Sequence, residues 1–125
     1  MFRPISITCL ALALALVTAS LVWADDPRVI DADIRKTSEG TFTISATLKH
    51  ADEGWDHYAN GWQVETTSGE VLSKRILHHP HVEEQPFTRS KSGIKIPNEV
   101  KTVIIRAEDS VHGLGDETVE LKVPH

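Results

Sequence analysis

The chain has 125 residues, enough for a single domain, and its 13 Lys and Arg against 18 Asp and Glu give a formal net charge of −5. Nucleic acid is therefore not expected as a partner, because binding to a phosphate backbone depends on clustered basic side chains. The proportions of apolar residues (40%) and charged residues (25%) are typical of a folded domain and exclude a disordered tail.

The N-terminal segment has the layout of a secretory signal peptide. Arg3 precedes a stretch without polar side chains, Leu10 to Val17, and Ala24 ends a small-residue motif that signal peptidase prefers. A membrane anchor would need about 20 apolar residues in a row, and four polar residues interrupt this segment: Ser6, Thr8, Thr18 and Ser20. We predict a signal peptide over 1–24, cleaved after Ala24. The mature domain, residues 25–125, is expected in the periplasm with no membrane contact.

Sulfur is confined to the predicted signal peptide, which contains the single cysteine, Cys9, and the single methionine, Met1. The mature domain would then have no disulfide and would depend on its apolar core, which is feasible at about 100 residues. Cu(I) and iron-sulfur clusters require soft sulfur ligands. Any metal in the mature domain must therefore be held by nitrogen and oxygen.

Alternating apolar and polar residues predict short strands throughout the mature domain. The clearest is Thr41 to His50, in which every second side chain faces a core. Six further strands are predicted over 30–35, 61–66, 71–77, 87–96, 101–108 and 118–123, and no long segment has the apolar spacing of a helix. We predict an all-β fold: an antiparallel immunoglobulin-like or fibronectin type III-like sandwich of about seven strands, with Trp62 buried on the third.

The seven histidines all lie in the predicted mature domain, at positions 50, 57, 78, 79, 81, 112 and 125. In an up-and-down antiparallel sandwich, the loops that follow the second, fourth and sixth strands emerge at the same end. Six histidines should therefore converge on one pole, and only His125 should lie at the other. Loops clustered at one end of a sandwich commonly carry its binding site.

We predict that this pole binds a divalent transition metal through four imidazoles: His57, His79, His81 and His112. The role of the protein would be metal binding, delivery or sensing. His50 and Asp109 are predicted as supporting or substitute ligands. Pro80 favours an extended conformation at His79, which places the side chains of His79 and His81 on the same side. A nitrogen-rich set without sulfur suits Cu(II) or Zn(II). No residue is predicted to be catalytic.

Two other interpretations use the same pole. The loops could form an interaction module that recognises a periplasmic partner protein or a glycan, with the histidines serving structure alone. An aromatic platform for a sugar could then be formed by Trp55, Tyr58 and Trp62. Alternatively, clustered imidazoles titrate near neutral pH and could sense acidification.

Three segments of the chain resemble those of a family of small exported proteins from Gram-negative bacteria: Trp55–Trp62, His79–Ser90 and Asp109–Gly113. The resemblance covers most of residues 42–123. It implies a periplasmic location, and it carries no catalytic residue over to this chain.

Overall fold

The computed structural model describes residues 26–125, in which all regular secondary structure is β-strand. The strands are β1 (Arg28–Ser38), β2 (Thr41–Lys49), β3 (Ala59–Thr66), β4 (Val71–Ile76), β5 (Phe87–Lys95), β6 (Thr102–Asp109), β7 (Gly113–Leu114) and β8 (Val119–Lys122). This part of the chain has no helix suited to spanning a membrane. The signal peptide predicted for residues 1–24 lies outside the described residues.

The strands form two antiparallel sheets that pack face to face. One sheet has the order β1-β2-β5, and the other begins β4-β3-β6. Both β7 and β8 pair with β6 on the edge that faces away from β3, β7 at its end and β8 near its start. Eight strands thus fill seven positions, because the last position is divided between two short strands. The prediction of an all-β sandwich is confirmed.

The core lies between the sheets and is formed by the inward faces of their strands. In β2 the alternating apolar residues are fully buried, as the sequence pattern predicts: Phe42, Ile44, Ala46 and Leu48. The opposing sheet contributes a second buried set: Trp62, Val64, Val103, Ile105 and Ala107. Trp62 is 2% exposed and occupies the buried third-strand position predicted for it. Burial of each large apolar side chain contributes about 1.5 to 3 kcal/mol.

The first strand departs from the predicted pattern at one position. The alternation in the predicted strand over 30–35 places Ile30 on the same face as Ala32 and Ile34, toward the core. Ile30 is nevertheless 43% exposed, whereas Val29 is 1% exposed. The pairing of β1 with β2 shifts register between Val29 and Asp31. Such an irregularity leaves an extra residue unpaired and turns its side chain away from the regular alternation. The expectation for Ile30 was therefore wrong.

Three loops leave the sandwich at the same end, which we call the histidine pole: residues 50–58, 77–86 and 110–112, together with Asp109. The antiparallel registers place their flanking residues side by side, Leu48 opposite Phe87 and Ala59 opposite Asp109. This arrangement follows the alternating strand directions from which the convergence was predicted. His125 lies away from the pole, where its Nε2 donates to the carbonyl oxygen of Val100 at 2.7 Å.

Candidate metal centre

Asp109, the last residue of β6, lies at the centre of the histidine pole. Its side chain is fully buried. Its Oδ1 accepts hydrogen bonds from the backbone N–H of Val111, at 2.8 Å, and from the backbone N–H of His112. These bonds hold the loop and satisfy one carboxylate oxygen, so that Oδ2 is left for side chains of the pole.

Three imidazole nitrogens surround Asp109 Oδ2. His112 Nδ1 lies 2.9 Å from it, His50 Nε2 3.2 Å and His57 Nε2 3.3 Å. The His57 ring lies between the other two, with centroid distances of 4.7 Å to His50 and 4.9 Å to His112. One carboxylate oxygen has about two lone-pair sites. Three nitrogens at this range therefore exceed the hydrogen bonds that Oδ2 can readily accept.

Three buried residues of this cluster could hold a metal ion: His50, His57 and Asp109, whose ligand atoms all lie within 4.8 Å of one another. Two zinc ligands, each about 2.0 Å from the metal in tetrahedral geometry, are roughly 3.3 Å apart. The distances from Asp109 Oδ2 to His50 Nε2 (3.2 Å) and to His57 Nε2 (3.3 Å) match this value. Both exceed the 2.7 to 2.9 Å typical of a charge-assisted hydrogen bond.

The electrostatics of the cluster favour a cation. Burial acts to raise the pKa of Asp109, but hydrogen bonds from the backbone and side chain of His112, from the backbone of Val111 and from the side chain of His57 outweigh it and lower the pKa to about 2. Asp109 is therefore a carboxylate at neutral pH. The hydrogen bond to Asp109 in turn raises the pKa of His112, against a smaller opposing effect of desolvation.

A second buried carboxylate, Asp52, holds His50 from its other side. Asp52 Oδ1 lies 2.5 Å from His50 Nδ1 and accepts the backbone N–H of Ala59 at 3.0 Å, while Oδ2 accepts the backbone N–H of His81 at 2.7 Å. Sequence reasoning missed Asp52, because the same loop also contains Glu53 and Asp56 and no spacing distinguishes them.

His79 and His81 lie at the pole, but their rings are not part of the cluster around Asp109. The ring of His81 stacks on Phe87 at 4.0 Å, and its Nε2 accepts a hydrogen bond from Arg89 Nη2 at 3.0 Å. The rings of His79 and His81 are 4.7 Å apart, and His79 Nδ1 donates to the carbonyl oxygen of Pro80 at 3.2 Å.

The structure thus divides the six predicted site residues into two groups. His57 and His112 lie in one cluster with His50 and Asp109. His50 and Asp109 were expected only as supporting or substitute ligands, but Asp109 is the residue that the three imidazoles contact. His79 and His81 form a separate pair, because Phe87 and Arg89 engage the ring of His81. Only the backbone of His81 reaches the cluster, through Asp52.

The buried ring of His81 gives the metal-free protein a predictable pH dependence. Desolvation lowers the pKa of His81, with further lowering by Arg89 and His79 and opposition from Asp52 and Glu84. The unfolded chain therefore binds this proton more readily than the folded protein does, so that stability falls as pH drops from about 7 through the ordinary histidine pKa of about 6.5. We expect His81→Gln to reduce the loss of unfolding free energy between pH 7.5 and pH 5.5, measured by urea denaturation with a chelator present.

His125→Gln, at a residue away from the pole, is the matched control and should keep the wild-type pH dependence. The raised pKa of His112 affects the pH dependence of stability in the opposite direction. This effect is the same in the wild type and both variants, so that it cancels in the comparison. An unchanged pH dependence in His81→Gln would show that His81 does not carry this effect.

No protein-family model and no solved structure matches the chain. A protein of the archaeon Halomicrobium mukohataei, described as a candidate lipoprotein, is 37% identical over 94 residues, which cover 75% of this chain and 46% of that protein. The chain therefore spans less than half the length of the relative that it matches.

This relative corrects the resemblance drawn from the sequence. The assignment to a family of exported proteins of Gram-negative bacteria is wrong, because the similar protein is archaeal and is described as a lipoprotein. The resemblance rested on three short segments of the chain, and segments of that length do not identify the group of organisms from which a protein comes.

Proposed function

We propose that this protein is an exported β-sandwich that binds a divalent transition metal at the histidine pole, with His50 Nε2, His57 Nε2 and Asp109 Oδ2 as ligands. The observation that carries the proposal is the spacing of these atoms. The two distances from Asp109 Oδ2, 3.2 and 3.3 Å, match the separation of roughly 3.3 Å between two ligands of a tetrahedral zinc site, and all three ligand atoms lie within 4.8 Å of one another. Burial of all three residues and the negative charge of Asp109 support it further.

The donor set favours Zn(II), with Cu(II) as the alternative. Two imidazole nitrogens and one carboxylate oxygen form a three-ligand set that occurs in zinc sites. The fourth coordination position of the zinc is then open to a further ligand. We assign that fourth position to His112, whose Nδ1 is 2.9 Å from Asp109 Oδ2. Its side chain is 41% exposed, so that it can move between hydrogen bonding to Asp109 and the metal. A site with an exchangeable ligand fits metal binding, delivery or sensing.

Export of the domain is part of the proposal. It is supported by the signal-like segment over residues 1–24 and by the similarity to a protein described as a candidate lipoprotein. In a cell with an outer membrane, the domain over 25–125 would lie in the periplasm. Lipid attachment is not part of the proposal, because Cys9 precedes most of the apolar stretch.

Metal titration of the protein, purified without a histidine tag, tests the proposal. We expect one Zn(II) or Cu(II) per chain by calorimetry and elemental analysis. His57→Ala should weaken binding by at least about 100-fold, since removal even of a residue that only supports a metal ligand costs about 10-fold to 100-fold. His57 is the suitable residue because its ring contacts only Asp109, at 3.3 Å, and Glu53, at 3.9 Å, through polar atoms.

The double variant His79→Ala/His81→Ala is the matched control, because it removes two histidines of the same pole from outside the cluster. It should bind metal within a few-fold of the wild type. Loss of binding in this variant, with retention in His57→Ala, would overturn the proposed ligand set. Absence of stoichiometric metal in the wild-type protein would overturn the function itself.

A second candidate function, recognition of a protein partner or glycan, is favoured by one further observation. Each loop of the pole presents a large apolar side chain to solvent: Trp55 (68% exposed), Val82 (57%) and Val111 (59%). Apolar side chains grouped on a surface are typical of interaction sites. Wild-type protein without metal affinity, with unchanged stability in His57→Ala, would favour this function over metal binding.

A further inference from the structure

His50 is held between two buried carboxylates. Its Nδ1 lies 2.5 Å from Asp52 Oδ1, and its Nε2 lies 3.2 Å from Asp109 Oδ2. The side chains of all three residues are inaccessible to solvent. No water can therefore screen these contacts, and the arrangement of protons on the ring decides whether each contact is attractive.

The contact with Asp52 determines where the ring carries its proton. A carboxylate oxygen can only accept hydrogen bonds, so that His50 Nδ1 must donate. An imidazole that coordinates a metal through Nε2 has a single N–H, which must then lie on Nδ1, facing Asp52. Nε2 and Asp109 Oδ2 are then two acceptors that face each other in a buried site, and only a proton or a metal cation between them makes the contact attractive. In the proposed site the metal takes that position.

We infer that Asp52 is the positioning residue of the metal site. By accepting the proton of Nδ1, it fixes the tautomer and the orientation of His50, so that Nε2 coordinates the metal. A carboxylate behind a coordinating imidazole also makes that imidazole a stronger donor. This inference rests on the proposed metal-binding function and deepens it, because it states which atom of His50 binds the metal and what keeps that atom available.

The other contacts of Asp52 make this positioning rigid. Its oxygens also accept the backbone N–H groups of Ala59, at the start of β3, and of His81, in the loop before β5. The carboxylate is thus fixed from two further segments before it meets His50. These bonds are structural as well, so that a loss of stability alone cannot demonstrate the positioning role. The test must report on the His50 ring.

The first experiment uses the wild-type protein with zinc bound. Long-range proton-nitrogen NMR correlations distinguish the protonated from the metal-bound nitrogen of each histidine ring, and the signals of His50 are assigned by their loss in His50→Gln. We expect His50 Nδ1 to be protonated and Nε2 to carry the zinc. Protonation at Nε2, or an unprotonated Nδ1, would overturn the inference without any need for a variant of Asp52.

The second experiment replaces Asp52 by Asn and measures zinc affinity by competition with a chelator of known affinity. The amide has no negative charge and only one acceptor oxygen. With its oxygen toward His50 Nδ1, its N–H₂ group faces the N–H of His81; in the reversed orientation the N–H₂ group faces His50 Nδ1 and favours the other tautomer. We expect zinc affinity to fall by about 10-fold to 100-fold, with a second His50 tautomer appearing in the spectrum. Unchanged affinity or an unchanged tautomer would assign Asp52 a structural role only.

Glu65→Gln provides the matched control. Glu65 is also a buried carboxylate, bonded to Gln63 at 2.6 Å and to Arg106 at 2.8 Å on β3 and β6, outside the pole. The substitution makes the same change of charge and should leave zinc affinity unaltered. An equal loss of affinity in this control would overturn a specific role for Asp52. Wild-type protein that binds no zinc contradicts the proposed function, whereas zinc bound with the other His50 tautomer contradicts this inference alone.

Discussion

Zinc at about one hundred times its dissociation constant is expected to stabilise the folded protein by about 2.7 kcal/mol and to raise its melting temperature by roughly 10 to 20 °C. The physical reason is that one proposed ligand, Asp109, lies more than 50 residues along the chain from the other two, His50 and His57. The unfolded chain does not hold them together, so that metal binds the folded state preferentially. Thermal melts followed by circular dichroism, with a chelator and then with increasing zinc, measure this shift.

Asp109→Asn should abolish most of this shift. The amide oxygen can still accept the backbone N–H groups of Val111 and His112, whereas the anionic ligand atom is lost. Asp116→Asn, at an exposed residue, makes the same change of charge and should retain the full response to zinc. A melting temperature that responds to zinc equally in both variants would contradict the placement of the site on Asp109.

The metal-free protein is expected to lose about 2 kcal/mol of stability as Asp109 is protonated in acid. Its pKa is lowered in the folded protein from 3.8 to about 2. The unfolded chain therefore takes up this proton at a higher pH than the folded protein. The stabilisation is complete above about pH 4 to 5 and is lost progressively as pH falls through 3.8 toward 2.

Urea unfolding at about pH 6 and pH 2, with a chelator present, measures this loss. Asp109→Asn should show a smaller difference in unfolding free energy between the two conditions, because its side chain does not titrate. Asp33→Asn, at an exposed position in β1, controls for the removal of an ordinary carboxylate. A pH dependence in Asp109→Asn as steep as that of the wild type would show that Asp109 is not the acid-sensitive group.

The fold was largely predictable because the alternation of apolar and polar residues identifies the core face of strands such as β2 and β6. The alternation over 41–50 predicted a strand that the structure places at Thr41–Lys49, and its apolar side chains are the ones buried. The exposure of Ile30 was not predictable, because the register shift beside it depends on the pairing of two strands. The division of the last position into β7 and β8 was missed for the same reason.

The candidate site was predictable only to the level of its location. The alternating strand directions predicted that the three loops lie at one pole. The contacts of each loop side chain within that pole could not be predicted from the sequence. His81 illustrates this, because stacking on Phe87 and a bond to Arg89 compete with any role in the cluster. Asp52 is a residue of the cluster that the sequence did not reveal. Its carboxylate is buried and makes three hydrogen bonds, but in the sequence it cannot be distinguished from its exposed neighbour Glu53.

The cluster also joins the two layers of the sandwich, since His50 follows β2 in one sheet and Asp109 ends β6 in the other. In antibody domains a covalent cross-link between the layers performs this task. A metal ion bound between the sheets would be a reversible cross-link. It would hold the two sheets together at the histidine pole while it is bound, and its release would allow them to separate there. The mechanical strength of the domain would then depend on the concentration of free metal around it.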